Sequence, residues 1–141
     1  MRRQRGVALV EFALLLPFML ILTLSVTEIG RAYYQYNTIA KSVREAARYL
    51  SVRAKNVDVD KARNIVVYGN PNATGTPLAL GLSLSNVPNP TWDSTGSYPT
   101  FSTVTVSVTG YKFVSLVSSV FGVPLGTINF NTIQATMRSP S

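Results

Sequence analysis

RRQRGVALVEFALLLPFMLILTLSVTE, residues 2–28, is the stretch whose reading decides the architecture. Three arginines precede Gly6, and from Val7 to Val26 the only charged residue is Glu11. A helix over that run is about 30 Å long, enough to cross a hydrocarbon layer. The arginines in front, set against Glu28 and Arg31 that cancel behind, predict a cytoplasmic N-terminus. A cleaved secretory signal shares the charged start, but it has a shorter apolar core ending in small residues, and Thr23 to Glu28 offers no such site. The run therefore reads as a retained membrane span.

Glu11 is the residue that a plain anchor explains least, because an acid near the centre of a spanning helix costs on the order of 3 kcal/mol. Two offsets are open. Glu11 lies about a turn from the arginines, so it can snorkel to the cytoplasmic headgroups or pair with Arg5. Alternatively, cleavage after Gly6 creates an ammonium on Val7, four residues before Glu11 on the same helix face.

Arg5-Gly6 followed by Val7-Ala8-Leu9-Val10-Glu11-Phe12 resembles the class III signal of type IV prepilins. Together with Glu11 to Pro17, Glu28-Ile29-Gly30-Arg31-Ala32, Ala46-Ala47-Arg48-Tyr49 and Ala135-Thr136-Met137-Arg138, it is similar to the TadE-like minor pilins or pseudopilins of tight-adherence (Flp) pilus systems. The resemblance leaves about Asn70 to Pro99 unmatched. It departs from the family in lacking late cysteines and in placing valine at the mature N-terminus. It implies a processing site at Gly6 and Val7, cut by a prepilin peptidase, and a Glu11 that supports assembly. The implied partners are other pilin-like subunits, the pilus assembly platform and membrane lipid. Leu14, Leu15, Pro17, Phe18 and Leu22 would then supply lateral helix packing in the bacterial inner membrane, with Pro17 bending the helix modestly.

Chemistry of other kinds finds little support. The 141 residues contain no histidine and no cysteine, which removes disulfides and thiolate or imidazole metal sites. No nucleophile motif or phosphate loop occurs, so the expectation is a non-enzyme with no cofactor and no small-molecule substrate. The formal charge of +7 owes three units to Arg2, Arg3 and Arg5, and is to that extent a topology signal. The basic run from Lys41 to Arg63 would lie outside the membrane, where a solvated helix face or lipid headgroups account for it, and no nucleic acid is expected.

Beyond the span, Ile29, Tyr33, Tyr36, Ala40, Val43, Ala47 and Leu50 recur by threes and fours, predicting an amphipathic stripe on one rod from Val7 to about Ala54. Phe101 to Phe113, with Val104, Val106 and Val108 alternating against Thr and Ser, reads as a half-buried strand, and Thr127 to Met137 repeats the pattern with a phase slip near Asn131. The expected fold is α+β and pilin-like, a long transmembrane-plus-amphipathic helix packed on a small antiparallel sheet. Residues 1–6 form the leader, 7–27 the span, 28–55 the protruding helix and 56–141 an extracytoplasmic domain. Within that domain, Asp58 to Tyr68 reads as a helix started by a capping aspartate, with Ala62, Ile65 and Val66 inward, and Ala79 to Val87 as a third strand. Gly69 to Pro77 and the proline-crowded Asn86 to Thr100 read as loops, the latter with Trp92 folding back on its own domain. Leu116, Val117, Val120 and Phe121 stand at helical spacing, either as a short helix or as an exposed patch facing a partner or the outer leaflet.

Overall fold

The computed structural model describes residues 4–117, 119–120, 122–124 and 127–139. The chain runs through α1 (Gln4–Ser51), α2 (Val59–Tyr68), a 3-10 turn (Leu84–Asn86), β1 (Thr91–Thr95), β2 (Phe101–Val108), β3 (Lys112–Phe113), β4 (Ser119–Val120), β5 (Val123–Pro124), β6 (Ile128–Asn129) and β7 (Ile133–Arg138). It is the expected α+β arrangement of one long helix against a small antiparallel sheet. Helix α1 continues without a break through Pro17.

The core forms where α1 leaves its apolar half. Ile39, Val43, Ala46, Ala47 and Leu50 are buried against α2 and against the inward valines of β2. Two alanines in succession let the α2 backbone approach closely, and the Ser42 hydroxyl has the carbonyls of Val66 (3.0 Å) and Ile39 (2.9 Å) as acceptors. Ala62, Ile65, Val66 and Val67 make the facing side of α2. Gly69 ends that helix in the left-handed region at φ 74°, donating to the Ile65 carbonyl at 2.9 Å.

The main sheet has the order β1-β2-β7, antiparallel throughout, with Trp92 opposite Val104 and Val106 opposite Ala135. Val104, Val106 and Val108 are buried, while the alternating Thr and Ser residues stand only partly covered, so β2 follows its period-2 pattern. The predicted strand through Phe113 stops at Val108. Thr109 and Gly110 break it, and β3 pairs separately with β6. The phase slip near Asn131 is likewise a break, between β6 and β7.

Three expectations need correction. Ala79 to Val87 is not a strand. Ala79, Leu82 and Val87 are buried, which is a turn-like spacing, and Ser83 with Asn86 forms a capping box that keeps hydrogen bonds local. Arg63 donates to the Leu84 and Val87 carbonyls at 3.0 and 2.9 Å, satisfying acceptors that a sheet would have used. The second loop, in turn, contains β1, lying between Pro90 and Pro99 as an edge strand, where bonding on one side suffices. Its turn requires Gly96, at φ 99°, since a Cβ there would meet the Pro99 carbonyl oxygen at 2.8 Å. Trp92 packs back on the core as expected. Lastly, Asp58 does not cap α2 through its side chain. It sits at φ 59°, and its carboxylate accepts from Arg53 Nε at 3.0 Å and pairs with Lys61 Nζ at 3.0 Å. Lys61 first, then Arg53, hold that carboxyl below the usual aspartate range. Leu116 and Val117 form no helix, and a small β4–β5 hairpin follows them; Phe121 lies outside the described residues.

Tyr111 joins sheet and rod. Its ring is buried, and its hydroxyl proton has Gln35 Oε1 at 2.8 Å and the Leu80 carbonyl at 2.9 Å as acceptors. Burial pushes the phenol above its ordinary pKa. Tyr111→Phe leaves both acceptors short of a donor and is expected to destabilise the domain by about 1–2 kcal/mol, read from chemical denaturation in micelles.

Candidate membrane and assembly interface

The lower half of α1 is exposed along its length. Leu14, Leu15, Phe18 and Leu22 are 60–72% accessible, and Pro17 is half-buried. This helix is long and apolar enough to cross a membrane, and none of its apolar stretch is buried within the chain. Hydroxyls there are satisfied internally: Thr23, Ser25 and Thr27 donate to the carbonyls four residues back at 2.7, 2.7 and 2.9 Å, as a lipid environment requires.

Gly6 and Val7 lie in helical backbone, with nothing within 4 Å of the Gly6 Cβ position, and Val7 is 60% accessible. Glu11 is exposed one turn later, on the face that Val7 shares. The Arg5 side chain, the other partner considered for Glu11, lies outside the described residues.

Beyond the apolar run the covered face differs from the stripe drawn from the sequence. Ala40, Val43, Ala47 and Leu50 are buried, but Tyr33 is 69% accessible and Tyr36 is also exposed, while Glu28, Ala32 and Ile39 point inward instead. Spacing by threes and fours marks a face without fixing its rotation, which here follows the contact higher up, where the Ser42 hydroxyl meets the Val66 carbonyl of α2 at 3.0 Å. Tyr36 still meets Phe130 edge-on, with ring centroids 5.5 Å apart.

Glu28 is a site that sequence reasoning missed, having treated it as a flanking charge. Its carboxylate is buried, accepting from Arg31 Nη1 at 2.6 Å and from the Leu116 amide at 3.3 Å. The Ser115 hydroxyl, then Arg31 and the Leu116 amide, hold the carboxyl below its usual range despite the opposing effect of burial. Arg31 also lies 5.5 Å above the Phe113 ring. A carboxylate thus ties the 113–116 segment to the helix where it leaves the apolar run. Since the unfolded chain takes up the proton first, this contribution is present above the ordinary glutamate value of about 4.3 and fades as pH falls through the lowered folded value. The Leu116 amide resonance is expected to titrate with Glu28 in the wild type and to lose that titration in Glu28→Gln.

Higher on the rod, Lys41, Arg44 and Arg48 edge a groove of about 660 Å³ floored by Val52, Ile65 and Met137. Among the described residues no group of His, Cys, Asp and Glu able to hold a metal occurs.

Residues 6–48 match the family model described as TadE-like protein, which covers the exposed lower helix, Gly6, Glu11 and Glu28. No curated protein and no solved structure matches the chain.

Proposed function

We propose that this chain, whose residues 6–48 match the TadE-like model and whose helix is long and apolar enough to cross a membrane, is a minor pilin or pseudopilin that assists assembly of a tight-adherence pilus. In this reading, residues 1–6 are a leader removed by a prepilin peptidase after Gly6. Residues 7–27 cross the inner membrane with the N-terminus cytoplasmic, 28–55 protrude, and 56–141 lie outside. The observation that carries the reading is the combination, on one exposed and uninterrupted helix, of an arginine-flanked Gly6-Val7 bond and a single intramembrane carboxylate at Glu11. Cleavage puts an ammonium on Val7 within reach of that carboxylate, in the same subunit or in a neighbour, and charge neutralisation in a medium of low dielectric favours lateral docking. Leu14, Leu15, Phe18 and Leu22 supply apolar contact to the neighbouring pilin-like helix, Pro17 allows it to adapt, and the outer domain selects which subunits join.

N-terminal sequencing of the membrane-extracted protein, from cells with and without a prepilin peptidase, tests the processing step. Val7 is expected as the first residue only when the peptidase is present. An intact Met1 in both would make the chain an unprocessed single-pass anchor presenting a binding domain.

A further inference from the structure

The segment after β2 descends along α1 toward the span. The Tyr111 hydroxyl lies 2.8 Å from Gln35, Phe113 lies beneath the Arg31 guanidinium, and the Leu116 amide meets Glu28. The chain thus travels down about 10 Å of helix. Glu28 follows the apolar run by two residues, about 3 Å of rise, and the headgroup layer beyond the hydrocarbon is about 5–8 Å deep. In the single-pass reading, on which this inference rests, the Glu28–Leu116 contact falls inside that layer.

The residues at this level are unusual for a water-facing surface. Leu116 is 69% accessible, Val114 43% and Ile128 39%. They belong together: Ile128 pairs with Phe113, the neighbour of Val114, in the β3–β6 ladder. The sequence carries no charged residue from Phe113 to Met137. The exposed Lys112, next to Phe113, adds a cation that complements anionic headgroups beside an apolar contact. Leu24 and Ser25 are already half-buried, so covering of α1 starts within the last turns of the span.

We propose that Val114 and Leu116, with Ile128, seat in the extracytoplasmic headgroup layer of the same bilayer that α1 crosses, so that the domain rides on the membrane instead of standing off on a free stalk. The occupant is lipid. The buried Glu28 carboxylate acts as the latch that holds Leu116 at that depth.

The chain has no cysteine, so single-cysteine labels are unambiguous. Full-length Leu116→Cys, Leu22→Cys and Thr100→Cys, each carrying an environment-sensitive fluorophore, would be placed in phosphatidylethanolamine/phosphatidylglycerol nanodiscs containing brominated lipid. All three positions are exposed, so folding is preserved. The expected result is loss of most emission at Leu22 and at Leu116, with a shallower depth at Leu116, and none at Thr100, which lines the pocket beside Ser51 at the far end of α1. Quenching at Leu22 but not at Leu116 overturns the proposal and leaves the span intact. No quenching at Leu22 removes the span and this inference with it. Equal quenching at Leu116 and Thr100 means that the domain lies on its side and refutes the seating by its base. Protection of Leu116 from aqueous iodide without quenching by lipid assigns the patch to a second copy of the chain and also overturns it.

Discussion

Ile39→Asp is expected to unfold the outer domain while leaving the protein in the membrane. Ile39 is fully buried at the centre of the cluster that α1, α2, β2 and β7 share, and an unpaired carboxylate there has neither a cation nor water to compensate for lost solvation. Truncation alone, Ile39→Ala, is expected to cost about 2–5 kcal/mol through lost contacts and a residual cavity. That range rivals the whole stability of a small domain, and the aspartate exceeds it. The measurement is resistance to protease in micelles, followed by mass: residues beyond the core should become cleavable, while the apolar half of α1, which makes no contribution to that core, stays protected by detergent. Retention of protease resistance in Ile39→Asp would mean that α1 and the sheet fold independently.

Glu11→Gln is expected to have the opposite profile. The substitution keeps the side chain's size and removes its charge at an exposed position of the lower helix, so insertion and domain stability should remain as in the wild type. Cleavage after Gly6 should also persist, because the Arg5-Gly6-Val7 sequence is untouched. What is lost is neutralisation of the Val7 ammonium, and in a medium of low dielectric that loss is large enough to reduce co-purification with pilin-like partners by tenfold or more, a difference of about 1.4 kcal/mol or greater. Quantitative pull-down from detergent-solubilised membranes reads it. Normal recovery of partners with the glutamine variant would leave Glu11 as a tolerated acid close to the cytoplasmic headgroups. The two variants separate the two halves of the molecule, since one removes the domain and keeps the charge, and the other does the reverse.

These contrasting effects follow from how the chain divides its information. The long helix was legible because each of its requirements is local: an apolar run of spanning length with a single charge, a period of three to four residues, and no proline between Pro17 and Pro71. The valine alternation of β2 and the inward face of α2 were legible for the same reason. Where reading failed, the hydrogen-bond partner came from far along the chain. Arg63 takes the carbonyls of Leu84 and Val87, so a leucine-rich stretch with strand-like spacing becomes a turn. The centre strand β2 offers its free edge to Thr91–Thr95, so a proline-bounded loop becomes a strand.

For the interface, the sequence by itself determined an apolar run long enough to span, its charged flank, the Gly6-Val7 bond and the placement of Glu11 within the run. Only the tertiary structure decided that Tyr33 stands outside while Ala32 and Ile39 turn inward, and that Glu28 is buried beneath Leu116 rather than solvated at a helix exit. The reason is physical. Periodicity identifies the residues that share a face of a helix, but the rotation of that face is fixed by the packing available to it, here Ser42 bonded to the Val66 carbonyl of α2, and a charge can be buried only where distant groups arrive to satisfy it.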